Sequence, residues 1–267
     1  MKMCRIITIA NQKGGTGKST TALNLGYSLA HAGNRVLMVD CDPQANLTLA
    51  YGINKPYELF VSMHNLVSSL IDGEALPEKS EYIIHNDKFD IIPSNINLAA
   101  SEVNLREIKD GEKILSELLE PLRPDYDYII IDSNPFLGLL TINALTACDE
   151  VVIPVSPEFW SATGLTDLLQ TIYRIKRKTN PKISVAGVLM TMCNPRTRLY
   201  KNVITLISEH YGDKIRIFST SIPSTTKVGE ANFNSSSIIE YYPKSKATIA
   251  YKEFALEVAN NAKSEKH

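Results

Sequence analysis

Residues Asn11–Ser19 read NQKGGTGKS, between the short apolar run Cys4–Ala10 (CRIITIA) and a segment, Ser19–Ala32, whose apolar residues recur at helical spacing. A short run rich in β-branched residues predicts a buried strand, so the order is strand, glycine-rich turn, helix. At such a junction the first N–H groups of the helix lack partners within it and the helix dipole favours an anion, so the turn suits a polyphosphate. Gly14, Gly15 and Gly17 leave room for it, and Thr16 and Thr20 belong to the same lining. Lys18 is placed to meet the outer phosphates, and Ser19, in the first helical turn, stands where a P-loop serine or threonine meets Mg²⁺.

The general pattern G-x-x-x-x-G-K-[ST] is not met in full, because Gln12 stands where its first glycine belongs. The loop instead carries a second lysine, Lys13, at its mouth.

Working outward, Gly33 and Asn34 supply a left-handed stop for a helix ending near His31. The next strand, Arg35–Asp40 (RVLMVD), is apolar almost throughout, as strands covered on both faces are, and it runs into Asp40-Cys41-Asp42-Pro43-Gln44. Carboxylates at the carboxyl end of a parallel strand lie on the edge where open α/β sheets bind ligands. Asp42 can orient a water at a terminal phosphate, and Asp40 can support Lys18 or a metal through its water shell; the plain alternative is an Asx turn capping the next helix. A second run, Tyr126–Asp132, carries three isoleucines and ends in an aspartate, the pattern of a strand that delivers one carboxylate to Mg²⁺.

Elsewhere the sequence reads as scaffold. Helical periodicity marks 58–71 and 96–119, and a β-hairpin is expected from Tyr82–His85 and Phe89–Pro93 around Asn86-Asp87. Helices at 139–148, 164–178 and 199–210 alternate with strands at 151–155, 183–192 and 215–219; 222–227 reads as a loop and 248–262 as an amphipathic helix. The expected fold is α/β, three-layered, with a mostly parallel central sheet flanked by helices, and all 267 residues are expected to form one domain.

Composition narrows the function. The net charge of −1 gives no global attraction to nucleic acid, so DNA binding would need a local patch. There is no run long enough to span a membrane and no signal-peptide pattern, so a cytoplasmic location is expected. Four scattered cysteines, with no C-x-x-C pair, favour buried thiols over a single-chain metal centre.

The segments KGGTGKST (13–20), VDCDPQ (39–44), YIIIDSNPFLGLLTINAL (128–145) and YYPKSKA (241–247) closely resemble the ParA/Soj family of plasmid and chromosome partitioning ATPases, over nearly the whole chain. The resemblance implies a P-loop NTPase fold with a deviant Walker A motif, whose signature lysine matches Lys13. It further implies ATP and Mg²⁺ as ligands, an ATP-dependent homodimer in which Lys13 reaches the partner's phosphates, and non-specific binding of double-stranded DNA by that dimer. A ParB-like protein would stimulate slow hydrolysis, and the location would be nucleoid-associated. The family's catalytic aspartate falls on Asp42 and its Walker B aspartate on Asp132, with Asn194, Pro223 and Thr225 at adenine-contacting positions. No separate N-terminal DNA-reading domain is expected.

There are departures. The family's IPRNVRLSEA stands here as IPSTTKVGEA (222–231), so arginines become Ser224 and Lys227, and Thr225 replaces an asparagine. Arg196, Arg198, Lys201, Lys227, Lys244 and Lys246 are the candidates for a compensating DNA surface. Three other functions share the nucleotide fold. A MinD-like membrane-cycling ATPase would want a basic amphipathic C-terminal helix, and Tyr251–Lys263 is not one, so no stable membrane association is expected. An iron–sulfur reductase would draw attention to Cys148, and a nucleotide-binding scaffold would not hydrolyse ATP.

Overall fold

Alternation along each apolar run decides which side chains go to which face of a sheet, because successive strand residues point in opposite directions. Ile6, Leu37, Val39, Ile129, Ile131, Val151 and Ile153 enter one core, while Ile7, Ile9, Val36, Met38, Ile130 and Val152 enter another on the opposite face. The computed structural model describes residues 3–158 and 161–264. Among these, β1 (Arg5–Ile9), β2 (Val36–Cys41), β3 (Asp90–Ile92), β4 (Tyr128–Ser133), β5 (Glu150–Val155), β6 (Ser184–Cys193) and β7 (Ile217–Pro223) form one sheet. The order is β3-β2-β4-β1-β5-β6-β7, and every adjacent pair is parallel.

Helices cover both faces. One core takes side chains from α3 (Met63–Asp72), α4 (Lys79–Tyr82), α5 (Leu98–Asn104), α6 (Ile114–Leu119), α7 (Leu139–Ala147), α8 (Ser161–Lys178) and α9 (Arg198–Tyr211). The other is closed by α1 (Lys18–His31), α2 (Asn46–Tyr51), α10 (Thr226–Phe233), α11 (Ile238–Tyr241) and α12 (Lys246–Ser264). The expected three-layer architecture is present. Gly26 lets α1 lie against β2, since an added Cβ would strike the Met38 sulfur. The α12 helix docks through Tyr251, Phe254, Ala255 and Val258, as an amphipathic helix should.

Four expectations change. The hairpin at 82–93 reduces to one antiparallel bridge, Ile84 to Ile91, because Tyr82 ends α4 with its ring in the core and β3 pairs parallel with β2. The turn itself is as read: Asn86 Oδ1 accepts from the amides of Lys88 and Phe89. The 96–119 segment is broken, with Asp110 at positive φ between α5 and α6. The last strand is shifted to 217–223, where Ile222 is buried, and the expected loop at 222–227 gives way to the start of α10, capped by Thr225.

Candidate functional site

The carboxyl ends of β1, β2 and β4 lie side by side, and register puts Asp132 level with both Ile9 and Asp40. The glycine loop leaves β1 at that level. It turns into α1 at Gly17, whose φ of 83° and αL backbone serve as the N-cap without a side chain. Anchors reach in from neighbouring strands: Asn11 Nδ2 donates to the Pro154 carbonyl (2.5 Å) and Thr191 Oγ1 to the Thr16 carbonyl (2.8 Å). Lys18 Nζ crosses the loop to the Lys13 carbonyl at 3.2 Å. A cavity of about 450 Å³ opens above, lined by Gly14, Gly15, Gly17, Lys18, Ser19 and Thr20 with Asp42 and Asn232. An added Cβ at any of these glycines would meet nothing within 4 Å, so the space over the backbone is open.

The electrostatics of this end are unbalanced. Lys18 is buried, and burial lowers its pKa against the raising pull of Asp132 and Asp42. Asp132 is fully buried, and among the described residues both its carboxylate oxygens lack a hydrogen-bond partner. Burial first, then the charge of Asp40, push its carboxyl well above the usual range, while the Ser19 hydroxyl and Lys18 pull the other way. A bare buried carboxylate is costly, and such sites cluster where a ligand is handled. Asp42 is also buried; one oxygen accepts the Gln44 amide at 3.0 Å, the Asx turn weighed from the sequence, and the residue still lines the cavity. Its pKa is raised by burial and restrained by that hydrogen bond and by Lys18. Ala45, two residues past Pro43, has φ of 53°, a strained conformation for a residue with a side chain.

Asp40, read from the sequence as a support for Lys18 or for a metal through its water shell, makes three hydrogen bonds within the chain. Its Oδ1 accepts the Asp42 amide (3.0 Å), and its Oδ2 accepts the Thr48 amide (2.8 Å) and hydroxyl (2.7 Å). It fastens the turn carrying Asp42 to α2. Burial still raises its pKa to about 6 against these bonds.

The two lysines part company. Lys13 is half-buried at the mouth, its ammonium paired with Glu158 and its amide bonded to Asn11 Oδ1. Asn194, Pro223 and Thr225 are brought together where β6 and β7 end, with the Ser224 amide bonded to the Cys193 carbonyl, but they do not line the cavity over the glycine loop. Asn194 Oδ1 accepts the Arg196 amide and Thr225 Oγ1 caps α10, so both oxygens have local work. Arg196, Arg198 and Lys201 are exposed around the start of α9; Lys227, over the Tyr242 ring, with Lys244 and Lys246, is exposed around α10 and the start of α12. The two groups leave neighbouring strand ends.

Asn11, Thr48, Glu158, Thr191 and Asn232 were not singled out from the sequence. Thr48 bonds Asp40 eight residues away, the other four have partners far along the chain, and no local spacing announces any of them. Cys148 is buried, its thiol pushed up to about 12 by burial, which removes it from the surface an iron–sulfur bridge would need. Among the described residues no helix is long and apolar enough to cross a membrane.

Residues 4–185 match the model of a family described as an AAA domain. The sporulation initiation inhibitor protein Soj of Bacillus subtilis is 41% identical over 265 residues, covering 97% of this chain and all of Soj. The chromosome partitioning protein ParA of Caulobacter vibrioides is 36% identical, covering 95% of this chain and 93% of ParA. A crystal structure of cobyrinic acid a,c-diamide synthase from Mycobacterium smegmatis, with bound ADP and magnesium, superposes with a TM-score of 0.84 at 34% identity, over 98% of this chain and 97% of that one.

Proposed function

The chain belongs to the AAA-domain family and, within it, with the Soj and ParA partitioning ATPases; from that premise we propose that it is an ATP-dependent DNA segregation ATPase. ATP binding drives a sandwich homodimer, the dimer binds double-stranded DNA without sequence preference, and slow hydrolysis, stimulated by a ParB-like partner, resets it. The observation that carries this reading is the division between the two lysines. Lys18 is buried within the cradle, whereas Lys13 stands outside it at the mouth, paired with a half-exposed glutamate.

The residues fit ATP with Mg²⁺. The open glycine backbone, the free amides at the start of α1 and Lys18 supply positive charge, and the unpartnered carboxylate of Asp132 beside Ser19 suits a hard cation held directly or through water. Magnesium bound there would neutralise charge on the phosphates and tie them to the strand ends. Within the chain, Lys18 holds the outer phosphates. Asp42 orients the attacking water, with Asp40 fixing the turn that presents it. Phosphoryl transfer asks little covalent chemistry of the protein, so positioning and charge carry most of the work. Lys13 released from Glu158 completes the partner subunit's site in trans, which makes hydrolysis depend on dimerisation. Arg196, Arg198, Lys201, Lys227, Lys244 and Lys246 form the DNA surface, and the protein works in the cytoplasm on the nucleoid, without stable membrane association. One domain, residues 1–267, carries all of this, and Asn194, Pro223 and Thr225 keep the adenine end.

The test is DNA binding by the purified protein with ATP, ADP or no nucleotide at two salt concentrations. Binding should require ATP and fall steeply with salt. Lys13→Ala should keep monomeric ATP binding and lose both the dimer and the DNA; a normal ATP dimer by light scattering removes the trans role.

A further inference from the structure

Asn232, the next-to-last residue of α10, lines the cavity over the glycine loop. Its Nδ2 donates to Thr20 Oγ1 at 3.0 Å, a bond between residues 212 positions apart. A hydroxyl has one proton and two lone pairs. With Asn232 filling a lone pair, the Thr20 proton is left for donation, and Thr20 lines the same cavity. The geometry is held from a second direction: Asn24 Nδ2 donates to the Thr20 carbonyl (2.8 Å) and Asn24 Oδ1 accepts the Ile238 amide (3.0 Å), so α1 and the α10–α11 corner are tied twice. Asn232 Oδ1, in contrast, is buried with no partner among the described residues. A side chain kept for stability alone would have both ends satisfied, since a buried unpaired acceptor is costly.

We propose that Asn232 is a positioning residue for the nucleotide, which by donating to Thr20 Oγ1 turns the Thr20 proton toward a phosphate oxygen of bound ATP or ADP. The proposal rests on the reading of the loop as a phosphate cradle. It makes the end of α10 part of the nucleotide site although α10 follows the last strand and lies far from the loop in sequence.

The experiment is a double-mutant cycle read by ADP affinity: wild type, Asn232→Ala, Thr20→Val and the double variant, with the thermal midpoint of each nucleotide-free protein measured alongside. Asn232→Ala and Thr20→Val should each weaken ADP by about ten- to a hundredfold, the scale of one hydrogen bond to a charged group. The double variant should be no weaker than Thr20→Val alone. Asn232→Asp, close to isosteric but an acceptor, should draw the Thr20 proton back and weaken ADP more than Asn232→Ala does. Unchanged ADP affinity in Thr20→Val would instead sink the cradle reading at Thr20. A Thr20→Val loss accompanied by no loss in Asn232→Ala, or by an equal further loss in the double variant, overturns the role of Asn232. So does a fall in the nucleotide-free midpoint of both Asn232 variants with ADP losses that simply add to that of Thr20→Val.

Discussion

At the amino ends of the strands Arg5 grips Glu150 through two nitrogens (2.8 and 2.7 Å) and caps the Val258 carbonyl, and Arg123 grips Asp149 in the same forked way (2.9 and 3.0 Å). At the carboxyl ends of the same sheet, among the described residues, Asp132 has no hydrogen-bond partner for either oxygen, and Lys18 bonds a carbonyl of its own loop. Both ends bring charge out of water. One completes its charges within the chain, as a buried ion pair must to offset desolvation, and the other leaves them for a ligand that brings opposite charge. Unfinished electrostatics, rather than the mere presence of charged residues, separate the site from the scaffold.

Substitutions at the two ends should therefore have opposite signatures. The largest effect should come from Arg5→Ala, which leaves the half-buried Glu150 without its partner and should cost about 3 kcal/mol in urea unfolding while sparing nucleotide affinity in the folded protein. A loss under about 1 kcal/mol would mean that the amino end does not depend on its internal ion pairs. Lys18→Ala should weaken ATP by about a hundredfold, near 2.7 kcal/mol by calorimetry, with little change in nucleotide-free stability. For Asp132→Asn the direction reverses: removing a carboxylate whose pKa is raised by burial should stabilise the nucleotide-free protein at neutral pH by about 1–2 kcal/mol while abolishing Mg²⁺-dependent hydrolysis. Because an acid with a raised folded pKa costs stability at every pH where the unfolded chain has already lost its proton, that gain should shrink as pH falls and vanish below about pH 4, where the group is protonated folded or unfolded. Equal stability of wild type and variant at pH 8 would deny the unbalanced end its cost.

The smallest effect belongs to the sheet's far edge. Burial raises the Glu257 carboxyl, but hydrogen bonds from Thr220 and the Ser219 amide, with Arg216, outweigh it, and the net shift is downward. Its contribution is therefore present at neutral pH and lost as pH falls through its folded pKa. Glu257→Gln should cost under about 1 kcal/mol at pH 7, after screening, and nothing in acid. Thermal midpoints against pH would show it.

Much of this was legible in residue order. The β-branched runs, the glycines at 14, 15 and 17 and the acids closing two strands are local patterns tied to local physics, and they placed the loop, Asp42 and Asp132 beside one another. The Asn86-Asp87 turn was legible for the same reason. Its flanking hairpin was not, because pairing with β2 or burial of the Tyr82 ring is decided by what lies across the sheet. Thr225 shows the same limit: the hydroxyl was visible, but its use as a helix cap was not.

Residue order alone carried a parallel α/β fold, a glycine-rich loop with two lysines, and membership that full-length similarity to Soj and ParA bears out. Only the tertiary structure decided that Asp40 is a fastener for the Asp42 turn, that Lys13 rests on Glu158, and that Asn232 closes on Thr20. The physical reason is range. Propensity and periodicity act over a few residues, whereas the partner of a buried polar group is set by which strand ends the folded sheet makes neighbours.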